Sequence, residues 1–252
     1  MSMWRSLLKS AEWKPFMELL SPSFFDVVPA AVLLGQATSL TRNFRDGANF
    51  EAARRARAET LAAAGVAVDF APVLPASTQT PVDPQQVGST LLELYFHQVL
   101  KGGSVLLDLR SSTFSTPAGS RLLWKPAPAF VVFEPTFHTG LCQLYRGFYL
   151  NNAAQFSQGA QALGLATAQG AIRKQLGDGD QSRVHFTLRE FQQRFHHVFA
   201  ECKATHAKLH PQFIALGIGL STLYSHLETL GGTQDVRTAF ARALEGAGNP
   251  LG

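Results

Sequence analysis

Between residues 72 and 84 the chain places Pro72, Pro75, Pro81 and Pro84, four of its 13 prolines, with serine and threonine between them. A proline inside a helix removes a backbone donor and clashes with the preceding turn, and in a central strand it removes a ladder bond. Neither a helix nor an inner strand can run through this stretch. It reads as an extended, semi-rigid connector over residues 72–86, with the fold arranged on its two sides.

Upstream, residues 3–20 place Trp4, Leu7, Leu8 and Ala11 at helical spacing, and Ser21-Pro22-Ser23 opens a second helical run to Leu40. Residues 43–64, rich in alanine and arginine and stopped by Gly65, give the clearest helical pattern. Val66, Val68 and Phe70 alternate within 66–74, which suits a short strand. Downstream, Leu91, Leu94, Tyr95 and Val99 share one face of a predicted helix over 87–100, ended by Lys101-Gly102-Gly103. Runs at 104–114 and 122–133 have strand character, and Pro117-Ala118-Gly119 between them predicts a hairpin. Helices follow at 139–149, 153–163, 188–208, 211–230 and 235–245. The pattern predicts an α+β fold, mainly α, in a single domain: a helical part (1–64), the connector (72–86), then a hairpin with a C-terminal helical part (87–252).

Only 16% of the 252 residues are charged, against roughly 25% in ordinary soluble domains. Extensive buried or partner-covered surface is therefore expected, and disorder is not. The two cysteines, Cys142 and Cys202, make no Cys-x-x-Cys pair and no disulfide framework. With no secretory pattern at the start and no apolar run of roughly 18 residues, the expectation is a cytoplasmic protein with free thiols, extended to peripheral contact with the inner membrane. The net charge of +4 is concentrated where Arg42, Arg45, Arg54, Arg55 and Arg57 crowd together. Arg54, Arg55 and Arg57 are the candidates for an anion-facing surface; the competing reading is a solvated helix face beside Asp46, Glu51 and Glu59. Nucleic acid is not an expected partner, because no aromatic residues are interleaved there.

Histidines gather at His185, His196, His197, His206 and His210. On a helix, His206 and His210 would share a face, with Cys202 one turn before and Glu201 beside it, as a metal site needs. The pattern supplies no recognised ligand set, and Pro211 argues that the helix ends near His210. Gly-x-Ser-x-Gly is absent and neither cysteine has an activating neighbourhood in sequence. Gly177-Asp178-Gly179-Asp180 lacks the ligand spacing of a calcium loop and reads as a surface loop. Phe191, Phe195, Phe199 and Phe213 form an apolar stripe, read as core with a lipid-binding groove as the alternative.

The order of segments resembles the UbiB/AarF family of atypical kinase-like proteins. Residues 8–64 are similar to its helical stretch, 66–74 to the strand that follows, and Leu91-Leu92-Glu93-Leu94-Tyr95-Phe96-His97 to the helix before the catalytic loop. Leu144-Tyr145-Arg146-Gly147-Phe148-Tyr149 and residues 186–228 are similar to the helical tail. The resemblance implies a kinase-like large lobe with a small central β-hairpin, linked to quinone or lipid metabolism. The family's catalytic pattern does not carry over. The chain opens on residues similar to those after the phosphate-gripping lysine, so that lysine and the Lys-x-Gly-Gln segment are expected to be missing. Thr41-Arg42-Asn43 stands where Glu-x-Asp would, residues 104–111 where the catalytic loop would, and Phe133-Glu134-Pro135 where Asp-Phe-Gly would. Phosphoryl transfer needs a base, magnesium carboxylates and a phosphate clamp, and Asp108 and Glu134 are the only acids near the right places. The expectation is a non-catalytic pseudokinase-like binding or scaffold protein without a cofactor, whose partner is a protein or an apolar small molecule of the quinone or lipid class. Two alternatives are a metal-dependent enzyme built on the 188–210 helix and a peripheral membrane protein anchored by Trp4 and Trp13.

Overall fold

The computed structural model describes residues 47–80, 82–117, 121–176 and 182–247. The helices expected before residue 43, Trp4 and Trp13, and the 177–180 loop lie outside the described residues.

The connector does what its prolines require. Among the described residues of 71–83 there is one short 3-10 turn, Ala76–Thr78, and Pro84 occupies the first turn of helix α2, where a missing N–H costs nothing. Asp83 caps that helix, its carboxylate accepting from the Gln85 N–H at 3.0 Å. Ahead of the connector lie α1 (Gly47–Ala63) and strand β1 (Val68–Phe70). α2 (Pro84–Lys101) is the axis of the molecule: Leu91, Leu92, Leu94, Val99 and Leu100 are all fully buried. Two glycines in the left-handed region, Gly102 and Gly103, turn the chain into β2 (Ser104–Leu106), a conformation open to glycine at little penalty.

The predicted hairpin is present but divided. β3 (Phe114–Ser115) pairs antiparallel with β4 (Leu122–Trp124), while β2 pairs antiparallel with β5 (Phe130–Val132) in a second sheet. β4 also accepts β1 as a parallel neighbour, with Val68 opposite Leu122 and Phe70 opposite Trp124. The break between the sheets is built around Asp108. Its carboxylate grips Arg110 at 2.6 and 2.9 Å and accepts the Ala127 N–H at 2.9 Å, while its carbonyl accepts the Trp124 indole N–H at 3.0 Å. Trp124 is itself held between the rings of Phe70 and Phe114.

The remaining chain is helical: α3 (Pro135–Tyr149), α4 (Ala153–Ala162), α5 (Gln169–Leu176), α6 (Leu188–Ala204), α7 (Phe213–Leu230) and α8 (Val236–Ala247). A third, two-stranded sheet pairs β6 (Arg183–His185) with β7 (Thr233–Asp235). The α+β, mainly α expectation holds. α3 and α4 approach backbone to backbone, because a Cβ on Gly147 would strike the Phe156 backbone and one on Gly159 the Leu144 backbone. α7 is apolar nearly all round and buried, as such a helix must be. It is fastened to the strand region by Thr222, whose hydroxyl donates to the Leu107 carbonyl at 2.7 Å and accepts from the Leu109 N–H at 3.1 Å. α8 packs along α2, with Phe240 edge-on to Phe96. One cluster of buried apolar residues runs from α1 to α8. No helix among the described residues is long and apolar enough to cross a membrane.

Candidate functional site

The arginine group divides. Arg57 is buried at 3% exposure and donates to the carbonyls of Gly102 and Ser104 at 2.7 and 2.6 Å, so it belongs to the core and not to an exposed stripe. Arg54 forms a fork on Glu51 and stands over the Phe70 ring; Arg55 is exposed. Helical spacing places residue 57 one turn from 54, and the short radius between α1 and β2 takes that face inward.

The histidine pair is not brought together on a helix. α6 ends at Ala204, and the exposed His206 lies beyond it with a left-handed φ of 51°. His210 sits in the following loop against Phe137, its Nδ1 accepting from the Gln212 N–H and its Nε2 3.5 Å from Glu134. The predicted helix over 188–208 ran too far because nothing in 205–208 breaks a helix by residue type. Cys202 is fully buried, and among the described residues no three His, Cys, Asp or Glu side chains gather as metal ligands. Phe191, Phe195, Phe199 and Phe213 are all core.

Two other constellations fail as reactive centres on their hydrogen bonds. Cys142 Sγ lies 3.4 Å from His138 Nε2. That nitrogen is 2.8 Å from the Val99 carbonyl, which only accepts, so Nε2 carries a proton and is no base toward the thiol. Burial also pushes the Cys142 thiol up to about 11. Asp108 is fully buried and spent on Arg110 and Ala127, whereas Glu134 is largely exposed. The two acids do not form a magnesium site.

What the sequence did not reveal is a cavity lined by every tyrosine of the chain. Tyr95 comes from α2, Tyr145 and Tyr149 from α3 one turn apart, and Tyr224 from α7; Gln175 of α5 and Arg194 of α6 join them. The cavity measures about 40 Å³, above the roughly 10–15 Å³ that one water needs and well below a benzene-sized void. The Tyr95 and Tyr145 hydroxyls share a 2.6 Å hydrogen bond. That bond uses one of their two protons. The hydroxyls of Tyr149 and Tyr224 make no hydrogen bond among the described residues, and the buried amide oxygen of Gln175 has no partner there either.

Electrostatics keep this cluster protonated. Burial first, and then the neighbouring phenols, raise Tyr95 and Tyr149 far above the usual phenol range. Burial lifts Tyr224 to about 12 against the opposing pull of Arg194. Each phenol therefore stays an O–H donor. Among the described residues no aspartate or glutamate lines the cavity, and the one full charge there is Arg194. The arrangement donates hydrogen bonds to an oxygen-bearing group and repels a cation. A sequence signal existed: the chain uses 19 phenylalanines and only four tyrosines. Where rings are wanted only for packing it chooses phenylalanine.

No protein-family model matches the chain, and no curated protein matches it.

Proposed function

We propose that the protein is a non-catalytic binding protein that takes the oxygen-bearing head of a small molecule into the tyrosine cavity. The observation that carries this reading is the meeting of all four phenols at one cavity, with the Tyr149 and Tyr224 hydroxyls making no hydrogen bond among the described residues. A buried hydroxyl without a partner is costly, by about 1–3 kcal/mol, and a cavity of about 40 Å³ beside the phenols has room for one. Water fills such a site by default, and a ligand oxygen held by several donors replaces it. The apolar ligand expected from the UbiB/AarF resemblance fits only by its polar head, because a ring does not enter this volume. Absence of phosphoryl transfer, the other half of the scaffold expectation, is supported by Asp108, whose carboxylate is wholly engaged by Arg110 and Ala127.

Titration of isotope-labelled protein with 1-butanol and with glycerol, followed by amide NMR, tests the reading. Saturable shifts should appear at the Gln175 side chain and at Tyr149 and Tyr224, and Tyr224→Phe should weaken them about tenfold, the worth of one hydrogen bond in a dry site. If neither alcohol moves these signals, the reading is wrong.

A further inference from the structure

Resting on that reading, we propose that the ligand is a small organic anion: its oxygen-bearing end enters the tyrosine cavity while its carboxylate or phosphate lies in the cleft between α5 and α6. Arg194 carries the connection, because it lines both the cavity and a second, more open hollow of about 350 Å³. That hollow is walled by Lys174 and Ala171 of α5 and by Gln193, Arg194 and His197 of α6. Residues 193, 194 and 197 fall on neighbouring positions of one helix face, so the polar side chains gather on one wall. The Lys174 ammonium has no ion-pair partner among the described residues.

Among the described residues, the acids nearby do not neutralise the cleft. Glu190 reaches Arg194 only at 3.7 Å, and Glu201 reaches His197 only at 4.0 Å, both across exposed side chains. Pairs of this kind are screened by water and weakly held. One guanidinium N–H of Arg194 goes to the Lys174 carbonyl at 3.2 Å, which fixes the side chain across the gap between α5 and α6. A guanidinium has five donors in a planar fork suited to carboxylate and phosphate. A ligand whose head is held by phenols therefore leaves the cavity past a fixed arginine and into a wall of lysine, glutamine and histidine. The phenol donors of the cavity and the cationic side chains of the cleft both favour acceptor oxygens, and a neutral apolar tail would gain nothing from Lys174 and Arg194.

Four probes separate the parts: glycerol for the head alone, inorganic phosphate for the charge alone, and glycerol 3-phosphate and 3-hydroxybutyrate for both together with either anion. Affinities are measured by calorimetry on the full chain, with NMR to locate each probe. At least one two-part probe should bind about tenfold more tightly than glycerol and than inorganic phosphate, and weaken as salt rises. Lys174→Gln, an exposed change that leaves the fold intact, should reduce that affinity about fivefold and flatten its salt dependence. Tyr224→Phe should erase the advantage of the two-part probe over phosphate. Glycerol binding with no gain from an attached anion overturns the inference and leaves the cavity reading standing. Inorganic phosphate binding as tightly as the two-part probes, unaffected by Tyr224→Phe, overturns the link between cleft and cavity. Silence from all four overturns both.

Discussion

Arg57 brings a guanidinium to 3% exposure and meets only neutral acceptors: the carbonyls of Gly102 and Ser104 and, at 3.4 Å, the Thr60 hydroxyl. Burial lowers its pKa to about 10, so it remains charged at neutral pH and its task is to answer two carbonyls at the end of α2. Arg57→Met keeps the apolar stem and strands those carbonyls. The expected loss is about 2–6 kcal/mol, since each of the two unsatisfied buried acceptors costs about 1–3; urea denaturation measures it. A change under about 1 kcal/mol would mean that water reaches the carbonyls and that the buried description is wrong. The same residue shows how far a sequence can be read. Its cluster with Arg54 and Arg55 is visible, but which of three neighbouring arginines turns inward depends on the Gly102-Gly103 corner, 45 residues away in the Arg57–Gly102 bond.

At the scale of elements, periodicity found most of the helices and missed what depends on partners. α4 and α7 lie where apolar spacing and glycine punctuation put them. α5 leaves no clear sequence pattern: Gln169–Leu176 is eight residues with only Ala171, Ile172 and Gln175 buried, too short and too polar to announce itself. The division of the hairpin was equally hidden, because it follows from the Asp108 carboxylate binding both Arg110 and the Ala127 N–H across 19 residues. The contact of α3 with α4 is a close one, and its glycines make a sharp prediction. Gly159→Ala would press a methyl group into the Leu144 backbone and should destabilise the fold by about 1–3 kcal/mol, as overpacking does. Gly170→Ala, where a Cβ meets open space, should be neutral or slightly stabilising through helix propensity. Thermal melts of the two variants make the comparison, and equal effects would refute the close approach.

For the whole molecule, acid is the informative perturbation. His97 and His226 are buried, and burial lowers both to about 4 from the ordinary 6.5. His226 Nδ1 lies 3.0 Å from the Leu109 carbonyl and so carries the ring's one proton; at His97 the Gly246 backbone opposes the effect of burial without outweighing it. Between about pH 4 and 6.5 the unfolded chain binds protons that the folded chain refuses, so stability rises with pH across this window and is lost as pH falls. From pH 7 to pH 5 each histidine should remove about 2 kcal/mol. Urea midpoints at the two values test this, and His226→Gln should flatten the profile. A flat profile in the unaltered chain would mean that both rings reach water.

Phe240 of α8 packs against Phe96 and Tyr149, at 5.3 and 4.6 Å between ring centres, and both of those rings wall the tyrosine cavity. During synthesis α8 leaves the ribosome after every other described helix. The nascent chain therefore carries an open aromatic seam along α2 and α3 until α8 has followed. The cavity wall is completed only when residues far apart in synthesis have met.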